Sequence, residues 1–425
     1  MAHAIIVLPG TTGTSLVANQ ADETSQTPVW EYWAVREGAV LPSTGADALE
    51  KALYAGRPGG YGKKDKKTGL PKGYPSLIDS IVTAAQNAKA TYVPMYTTWP
   101  TNTPPISPPQ QQQPWLQWPL TANAVIGWGY DWRQDNLTVT ALMLQNFLYS
   151  LVSSSPAVDK ITLIGHSMGG LVSRTYLEHV GVNDTTIMPK IDQLITLGTP
   201  HLGAPLALGP ISHTLDINLS GQGSGNAFIA LLHDVLDVLE QPAVDNVIKM
   251  VDMVVNSNPM GISTYQLLPP GFTPFISSDG TDYSIFANNL PAGLVGLLKD
   301  AGMLQTNLTC AGNLFNVLNY TGTPANIAYN CLYGIVGTGN TAYDPSLAGQ
   351  IYTTTGYSYT PGAMGGPLQP VETDNGGDLV VPKVSAMFTG NSSVTTYEVP
   401  GADHISMPSN PAIQTKVNAL LNFAS

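Results

Sequence analysis

The sequence has little charge, and most of the charge it has is negative. Lys, Arg, Asp and Glu together make up 11% of the 425 residues, against about a quarter in an average globular protein. The 29 acidic residues outnumber the 17 basic ones, which gives a formal net charge of −12. A nucleic-acid-binding protein needs a basic surface to neutralise phosphates, so this balance argues against a nucleic-acid partner.

Long apolar runs and cysteines are scarce as well. We find no apolar run long enough to span a bilayer, and the first run, residues 4–8, meets Pro9 too soon to form the apolar region of a signal peptide. We therefore expect a cytoplasmic protein or a mature secreted form. The two cysteines are Cys310 and Cys331, and the sequence leaves a disulfide and two free thiols equally open.

Signatures of metal and cofactor sites are also absent. The sequence contains no cluster of His, Cys and Asp at metal-ligand spacing, no phosphate-binding loop and no dinucleotide fingerprint. We therefore expect neither a metal nor another cofactor. Hydrophobic residues still make up 43% of the chain, which is enough for a large core.

Short apolar runs alternate with helical patterns along most of the chain. This alternation predicts a mostly parallel central sheet flanked by crossover helices. The predicted strands are residues 4–8, 124–128, 160–164, 191–197, 332–337 and 394–399, and the predicted helices are residues 137–152, 170–180 and 410–423.

Two stretches interrupt this alternation and define the expected domains. Residues 1–201 are the first part of the core, with a loop excursion over about residues 18–120. Residues 202–329 are a mostly helical cap or lid insertion, with helices over 228–240 and 243–256, and residues 330–425 are the second part of the core. The Pro-rich residues 94–119 carry Trp99, Trp115 and Trp118; they are either a stiff surface excursion or a flap over an apolar site.

The pentapeptide at residues 165–169 carries the candidate nucleophile. Its sequence, Gly-His-Ser-Met-Gly, fits the Gly-x-Ser-x-Gly pattern and lies between a predicted strand and a predicted helix. In that context the pattern predicts a nucleophile elbow, where glycines permit a tight turn and hold Ser167 at a helix N-terminus. The fold class that follows is the α/β-hydrolase fold.

A serine nucleophile needs a base and an acid, which follow it in chain order in this fold. Only His404 lies between the last predicted strand and the last predicted helix. His179 falls on the helix behind the elbow, and His213 and His233 fall in the cap. His201 follows the next strand, where it is a candidate for lining the substrate pocket.

The acid is expected in the loop after the penultimate strand. Asp378 is the first choice, because it begins a turn 26 residues before His404. Asp344 and Asp374 are the alternatives.

The oxyanion hole requires two backbone N–H groups. One is expected from Met168, which follows the nucleophile, and the other from the loop after the first strand. Thr11 is the best candidate there, with Gly10 or Thr12 as alternatives.

Six motifs occur together and in order over nearly the whole chain. They are Val-Leu-Pro-Gly at 7–10, Tyr-Asp-Trp-Arg at 130–133, Ile-Gly-His-Ser-Met-Gly at 164–169, Leu-Gly-Thr-Pro at 197–200, Cys-Leu-Tyr-Gly at 331–334 and Asp-His-Ile-Ser-Met at 403–407. This set resembles the lecithin:cholesterol acyltransferase and lysosomal phospholipase A family of α/β-hydrolases, including its bacterial relatives.

The resemblance implies a triad of Ser167, Asp378 and His404, and an oxyanion hole of Thr11 and Met168. The chain departs from the family at the acid motif, which usually reads Gly-Asp-Gly-Thr-Val and here reads Gly-Asp-Leu-Val-Val. An identical disulfide-bounded lid is excluded as well, because no cysteine precedes Cys310.

The predicted function is hydrolysis of carboxylic esters by a lipase-like or esterase-like serine hydrolase through an acyl-enzyme. The alternatives are an acyltransferase that uses the same residues with an alcohol acceptor, and a binding protein on an inactive hydrolase scaffold. The expected partner is a small-molecule or lipid ester, with transient contact to a lipid interface. His201, Trp115 and Trp118 are the substrate-pocket candidates, and Asp131 with Arg133 is interpreted as a structural ion pair.

Overall fold

A computed structural model describes most of the chain. The described residues are 2–11, 13–17, 28–30, 54–58, 73–97, 99–100, 120, 122–212, 261–337, 352–363 and 366–423. The strands are β1 Ala2–Leu8, β2 Thr14–Val17, β3 Pro28–Trp30, β4 Tyr54–Pro58, β5 Tyr92–Thr97, β6 Trp99–Pro100, β7 Asn123–Trp128, β8 Val158–His166, β9 Ile191–Leu197, β10 Ile276–Ser278, β11 Thr281–Tyr283, β12 Ala328–Ile335, β13 Tyr352–Tyr359, β14 Leu368–Asp374 and β15 Val394–Pro400. The helices are α1 Tyr74–Asn87, α2 Ala141–Ser154, α3 Met168–Thr175, α4 Leu208–Ser212, α5 Ile262–Tyr265, α6 Ala292–Asp300, α7 Gln305–Val317, α8 Lys383–Ala386 and α9 Pro411–Leu421.

The central sheet is parallel throughout the part of the chain that the structure describes. Its seven strands lie in the order β15-β12-β9-β8-β1-β7-β5, and every neighbouring pair is parallel. The predicted parallel sheet with crossover helices is confirmed. All carboxyl ends of these strands consequently meet at one edge of the sheet, which is where ligand sites lie in this class of fold.

Both faces of the sheet are covered by helices. On one face, α2 and α3 pack their apolar side chains against alternate residues of β1, such as Ile6. On the other face, α1 and α9 cover the intervening residues, such as Ile5. Since successive side chains of a strand point to opposite faces, this two-sided burial explains why β1 reads as a continuous apolar run.

The predicted loop excursion over about residues 18–120 is corrected by α1 and β5. Five residues at helical spacing make up the buried face of α1: Tyr74, Leu77, Ile78, Ile81 and Ala85. β5 then pairs with β7 at the edge of the central sheet. The Gly/Pro-rich flanks obscure this helical period in the sequence, although the apolar spacing is there. Residues 101–119, with Trp115 and Trp118, lie outside the described residues, as does the side chain of Trp99.

The predicted division at residues 202–329 and 330–425 also needs correction. A second sheet, in the order β11-β10-β13-β14, joins strands from both segments, because β10 pairs with β13. Its core includes residues of α4 to α7, so this layer is mixed rather than mostly helical. The helices predicted over 228–240 and 243–256 lie outside the described residues. A third small sheet has the order β3-β2-β4-β6.

One helical stretch in the described residues, Asn136–Ser154, is long and apolar enough to cross a membrane by length and composition. The expectation that no apolar run reaches this length is therefore too strict. The stretch includes α2, whose side chains at Leu144, Phe147, Leu148 and Leu151 are fully buried in the core beside the central sheet. Packing within the protein accounts for its apolar composition.

A buried ion pair connects the central sheet to the layer beside it. Arg174 on α3 donates from Nε to Oε1 of Glu178 at 2.8 Å, and neither side chain is more than 1% exposed. The guanidinium also donates to the backbone carbonyl of Asn319, and it lies 4.1 Å from the ring centroid of Phe388. Glu178 in turn accepts hydrogen bonds from the Asn319 amide and the Tyr329 hydroxyl. Every charge in this cluster is therefore compensated.

We predict that Glu178→Gln lowers the free energy of unfolding by about 3–5 kcal/mol, because Arg174 would be left as a buried charge without its partner. The matched control is Lys160→Met. Lys160 forms an ion pair with Asp192 in which the two side chains are 42% and 32% exposed, and breaking such a pair should cost about 1 kcal/mol or less. Urea unfolding curves measure both values. Equal losses in the two variants would contradict the structural role given to Arg174 and Glu178.

Candidate active site

Ser167 lies on a sharp turn between β8 and α3. Its φ of 53° and ψ of −125° are rarely adopted by residues with side chains, and such strain is typical of a nucleophile elbow. The turn also requires a glycine at position 169, because a Cβ there would lie 2.4 Å from the carbonyl oxygen of Leu8. This close approach puts the first turn of α3 directly against the end of β1.

His404 reaches Ser167 from the loop that follows β15. Its Nε2 lies 2.9 Å from the Oγ of Ser167, and its Nδ1 lies 2.8 Å from Oδ2 of Asp378. All three residues are buried, with Ser167 the most exposed at 8%. The structure thus brings these three predicted residues into one hydrogen-bonded line.

Asp378 is held in place by its own turn. Its Oδ1 accepts hydrogen bonds from the amides of Val380 and Val381, at 3.1 and 2.7 Å. Its backbone carbonyl accepts from the amide of His404 at 2.9 Å. Of the alternative acids, Asp374 is exposed at the end of β14, and Asp344 lies outside the described residues. Within the described residues, the carboxyl oriented towards His404 Nδ1 is that of Asp378.

Leu379 stands where the resembled family usually has glycine, and its backbone explains that preference. Its φ is +79°, a left-handed conformation that costs a residue other than glycine about 1–2 kcal/mol. Its side chain is 3% exposed and packs with Leu206 and Val336. Burying a leucine side chain contributes about 1.5–3 kcal/mol, so packing offsets the strain and anchors the Asp378 turn.

The loop after β1 lies directly over Ser167. A Cβ placed on Gly10 would lie 2.7 Å from the Cβ of Ser167, so only glycine fits there. The Gly10 amide donates to the hydroxyl of Tyr74 and is therefore already committed. The Thr11 hydroxyl contacts Sδ of Met168 at 3.6 Å, which puts the two predicted oxyanion residues side by side. Thr12 lies outside the described residues.

Met168 is the first residue of α3. The first amides of a helix have no intrahelical acceptor, and the helix dipole there favours negative charge. This end of α3 is consequently suited to an oxyanion that forms next to Ser167.

A second buried carboxyl, that of Asp403, shapes the loop that carries His404. It accepts hydrogen bonds from the amides of Ile405 and Ser406 and from the Ser406 hydroxyl. Burial raises the pKa of Asp403 above its usual value. Its bonds lie within its own turn, so it holds the loop rather than the imidazole.

Sequence reasoning did not single out Tyr74 and His166, which lie next to these residues. His166 is the first of the two variable residues of the pentapeptide, and Tyr74 begins α1 inside the stretch interpreted as loop. The signals in the sequence were the histidine directly before the nucleophile and the helical period that starts at Tyr74.

His201 follows β9 and is enclosed by neighbouring side chains. It is 1% exposed, and its ring stacks on that of Phe388 with centroids 4.5 Å apart. Its Nε2 lies 3.1 Å from the Thr196 hydroxyl. Burial, and then the nearby Arg174, hold the pKa of His201 well below its usual value. These contacts give His201 a packing role, and its place in the substrate pocket stays a prediction.

Asp131 and Arg133 form a buried ion pair. The guanidinium donates from two nitrogens to the two carboxylate oxygens, each at 2.8 Å, which agrees with the structural role that the sequence suggested.

Cys310 and Cys331 are free thiols. In the described ranges, no group of three or more His, Cys, Asp or Glu residues could hold a metal ion.

Comparison with known proteins agrees with this fold. A profile described as a PGAP1-like alpha/beta domain matches residues 134–221, which include the elbow. Among solved structures, the crystal structure of the Tle4-Tli4 complex contains a chain that is 14% identical, with a TM-score of 0.53; the match covers 100% of this chain and 98% of the other. No curated protein matches the sequence.

Two further solved structures are a lipase and an esterase. The mature lipase BlEst2 of Bacillus licheniformis is 16% identical, with a TM-score of 0.30, over 79% of this chain and 92% of the other. Naproxen esterase of Bacillus subtilis is 13% identical, with a TM-score of 0.28, over 70% and 75%. At such identities the likeness concerns the fold alone. The sheet order, the strand–turn–helix at Ser167, the matching profile and the likeness to the chain in the Tle4-Tli4 complex lead to the conclusion that this chain has the α/β-hydrolase fold.

Proposed function

We propose that the protein is a serine hydrolase that cleaves carboxylic esters through an acyl-enzyme. The observation that carries this proposal is the hydrogen-bonded line from Asp378 Oδ2 through His404 to Ser167 Oγ. The fold by itself hosts many functions, so the proposal rests on this site and not on the likeness to other structures.

The line assigns a role to each of the three residues. The Asp378 carboxylate accepts the Nδ1–H of His404, which leaves the lone pair of Nε2 facing the Ser167 hydroxyl. His404 then removes the hydroxyl proton as Ser167 Oγ attacks the ester carbonyl carbon. The resulting imidazolium is stabilised by the Asp378 carboxylate, which keeps its negative charge.

The remaining steps return the enzyme to its starting state. The amides of Thr11 and Met168 are the proposed donors to the oxyanion, and the position of Met168 at the N-terminus of α3 supports this role. Collapse of the intermediate breaks the bond to the alkoxy group, which leaves as an alcohol with the proton from His404. A water molecule, deprotonated by His404, then attacks the acyl carbon. The bond from that carbon to Ser167 Oγ breaks, Oγ takes the proton back from His404, and the carboxylic acid leaves.

We predict that Ser167→Ala lowers kcat for ester hydrolysis by about 10⁶-fold, because the nucleophile is lost while the backbone turn remains. The measurement is turnover of an ester panel of increasing acyl length, with products analysed in the presence of an added alcohol. A fluorophosphonate should label wild-type protein at Ser167.

The matched control is Ser173→Ala on the same helix, where the buried hydroxyl donates to the Gly169 carbonyl. This variant should keep its activity. Full activity in Ser167→Ala, or labelling at another residue, would refute the proposal. Transfer of the acyl group to the added alcohol in preference to water would identify an acyltransferase instead.

We predict that Asp378→Asn lowers kcat by about 10⁴-fold, because an amide at this position favours the wrong tautomer of His404. The control is Asp374→Asn, which changes an exposed carboxyl four residues earlier and should have little effect. Steady-state kinetics of the two purified variants make the comparison. A larger loss in Asp374→Asn would exclude Asp378 as the acid.

We predict that Gly10→Ala lowers kcat on the order of 10²-fold, because the added Cβ would displace the loop from Ser167 by a fraction of an ångström or more. The control is Gly296→Ala in α6, where an added Cβ meets no atom within 4 Å. Kinetics and thermal unfolding of both variants are the measurements. If Gly10→Ala keeps wild-type kcat, the loop is not part of the oxyanion site.

A further inference from the structure

His166 connects two loops that approach Ser167 from opposite ends of the sequence. Its Nε2 lies 2.9 Å from the backbone carbonyl oxygen of His404, and its Nδ1 lies 2.7 Å from the hydroxyl of Tyr74. That hydroxyl in turn lies 2.8 Å from the amide nitrogen of Gly10. Tyr74 is fully buried and His166 is 2% exposed, so these bonds form in a low dielectric.

The direction of each hydrogen bond in this chain follows from the chemistry of its ends. A carbonyl oxygen only accepts, so Nε2 of His166 carries a proton and donates to His404. Burial, and then the neighbouring His404 ring, hold the pKa of His166 well below its usual value, so the ring is neutral and Nδ1 accepts. The Tyr74 hydroxyl therefore donates to Nδ1, and its oxygen accepts from the Gly10 amide.

This polarity ties the two halves of the candidate site together. Gly10 belongs to the loop that provides the proposed oxyanion donor Thr11, and the carbonyl at the other end belongs to the residue that carries the proposed base. The hydroxyl of Tyr130 donates to the carbonyl of Pro9 at 2.7 Å and holds the same loop from a second side. A shift of either loop would break a bond in the chain.

The neutral state of His166 also suits the proposed reaction. Its ring centroid lies 4.9 Å from that of His404, which becomes an imidazolium while the proton is in transit. A second positive charge at this distance would oppose that step. Tyr74, as donor to Nδ1, favours the neutral tautomer that avoids it.

We propose that Tyr74 and His166 are positioning residues that fix the loop carrying Gly10 and Thr11 relative to the loop carrying His404. This inference rests on the proposed ester hydrolysis at Ser167 and extends it to two residues that do not touch the reacting atoms. The hydrogen-bonded series Gly10–Tyr74–His166–His404, here called the relay, holds the oxyanion donor and the base in their positions around the nucleophile. Loss of the relay therefore lowers kcat and leaves KM almost unchanged.

The chain contains a matched pair that separates positioning from packing. At the other end of the sheet, Nδ1 of His3 lies 2.7 Å from the hydroxyl of Tyr92, and its Nε2 lies 2.9 Å from the hydroxyl of Thr162. This pair repeats the chemistry of Tyr74 and His166 at the amino ends of the strands, remote from Ser167. Tyr92→Phe therefore measures how much the free energy of unfolding falls when such a hydroxyl is lost from the core.

The test compares Tyr74→Phe with Tyr92→Phe in the full chain, by steady-state kinetics on a reactive ester and by urea unfolding. We expect Tyr74→Phe to lower kcat on the order of 10²-fold, because a small displacement of the reacting groups has that effect. KM should change by about twofold or less. Tyr92→Phe should lose stability and keep its kcat.

Two substitutions of His166 provide a second measurement if Tyr74→Phe does not fold. Glutamine can place an N–H donor near the position of Nε2 and keep the bond to the His404 carbonyl, whereas leucine loses both bonds. We expect His166→Gln to retain a larger share of kcat, and of the rate of phosphonylation of Ser167, than His166→Leu.

The outcomes separate the two proposals. If Tyr74→Phe loses no more kcat than Tyr92→Phe, or if His166→Gln and His166→Leu lose it equally, the relay is overturned while the role of Ser167 stands. If wild-type protein neither hydrolyses esters nor is phosphonylated at Ser167, the proposed function fails and the relay fails with it.

Discussion

The parallel direction of the central strands is the constraint on which the rest of the structure depends. Because every carboxyl end lies at one edge, the segments after β1, β8 and β15 meet there, although 237 residues separate Ser167 from His404. The close approach of α3 to the end of β1 then sets the distance between Ser167 and the loop that follows β1. The glycines at 10 and 169 are the local condition for that approach, since a Cβ at either position would collide with the neighbouring segment.

Several buried polar groups at this edge are satisfied in continuous networks. The turns at Asp378 and Asp403 give each carboxylate defined hydrogen-bond donors. The hydrogen-bonded series from Gly10 through Tyr74 and His166 does the same for the ring nitrogens of His166. In a low dielectric an unsatisfied group would be costly, so each network specifies one arrangement of its loop. The same logic applies to Arg174 and Glu178, which connect the central sheet to the neighbouring layer. A chain with few charges thus buries several charged residues, some in ion pairs such as Arg174 with Glu178 and others, such as Asp403, with amide and hydroxyl donors.

Sequence patterns predicted six of the seven central strands, and the inner strands read as apolar runs because they are buried on both faces. β9 has the predicted bounds, and the other predicted strands differ from the observed ones by a few residues at their ends. α1 was missed because glycine, proline and lysine surround it. The second sheet was missed because its strands alternate irregularly, with burial set by partners far away in the chain.

The sequence by itself determined the order of six central strands and three of the helices between and after them, the elbow at residues 165–169, and a short set of residues for the site, including Asp378 and His404. These features depend on local spacing and backbone chemistry, which a sequence records directly. Only the tertiary structure decided which nitrogen of His404 contacts which partner, that Gly10 uses its amide on Tyr74, and that His201 packs against Phe388. Those contacts join segments that are distant in the chain, and their geometry exists only once the sheet has brought the segments together.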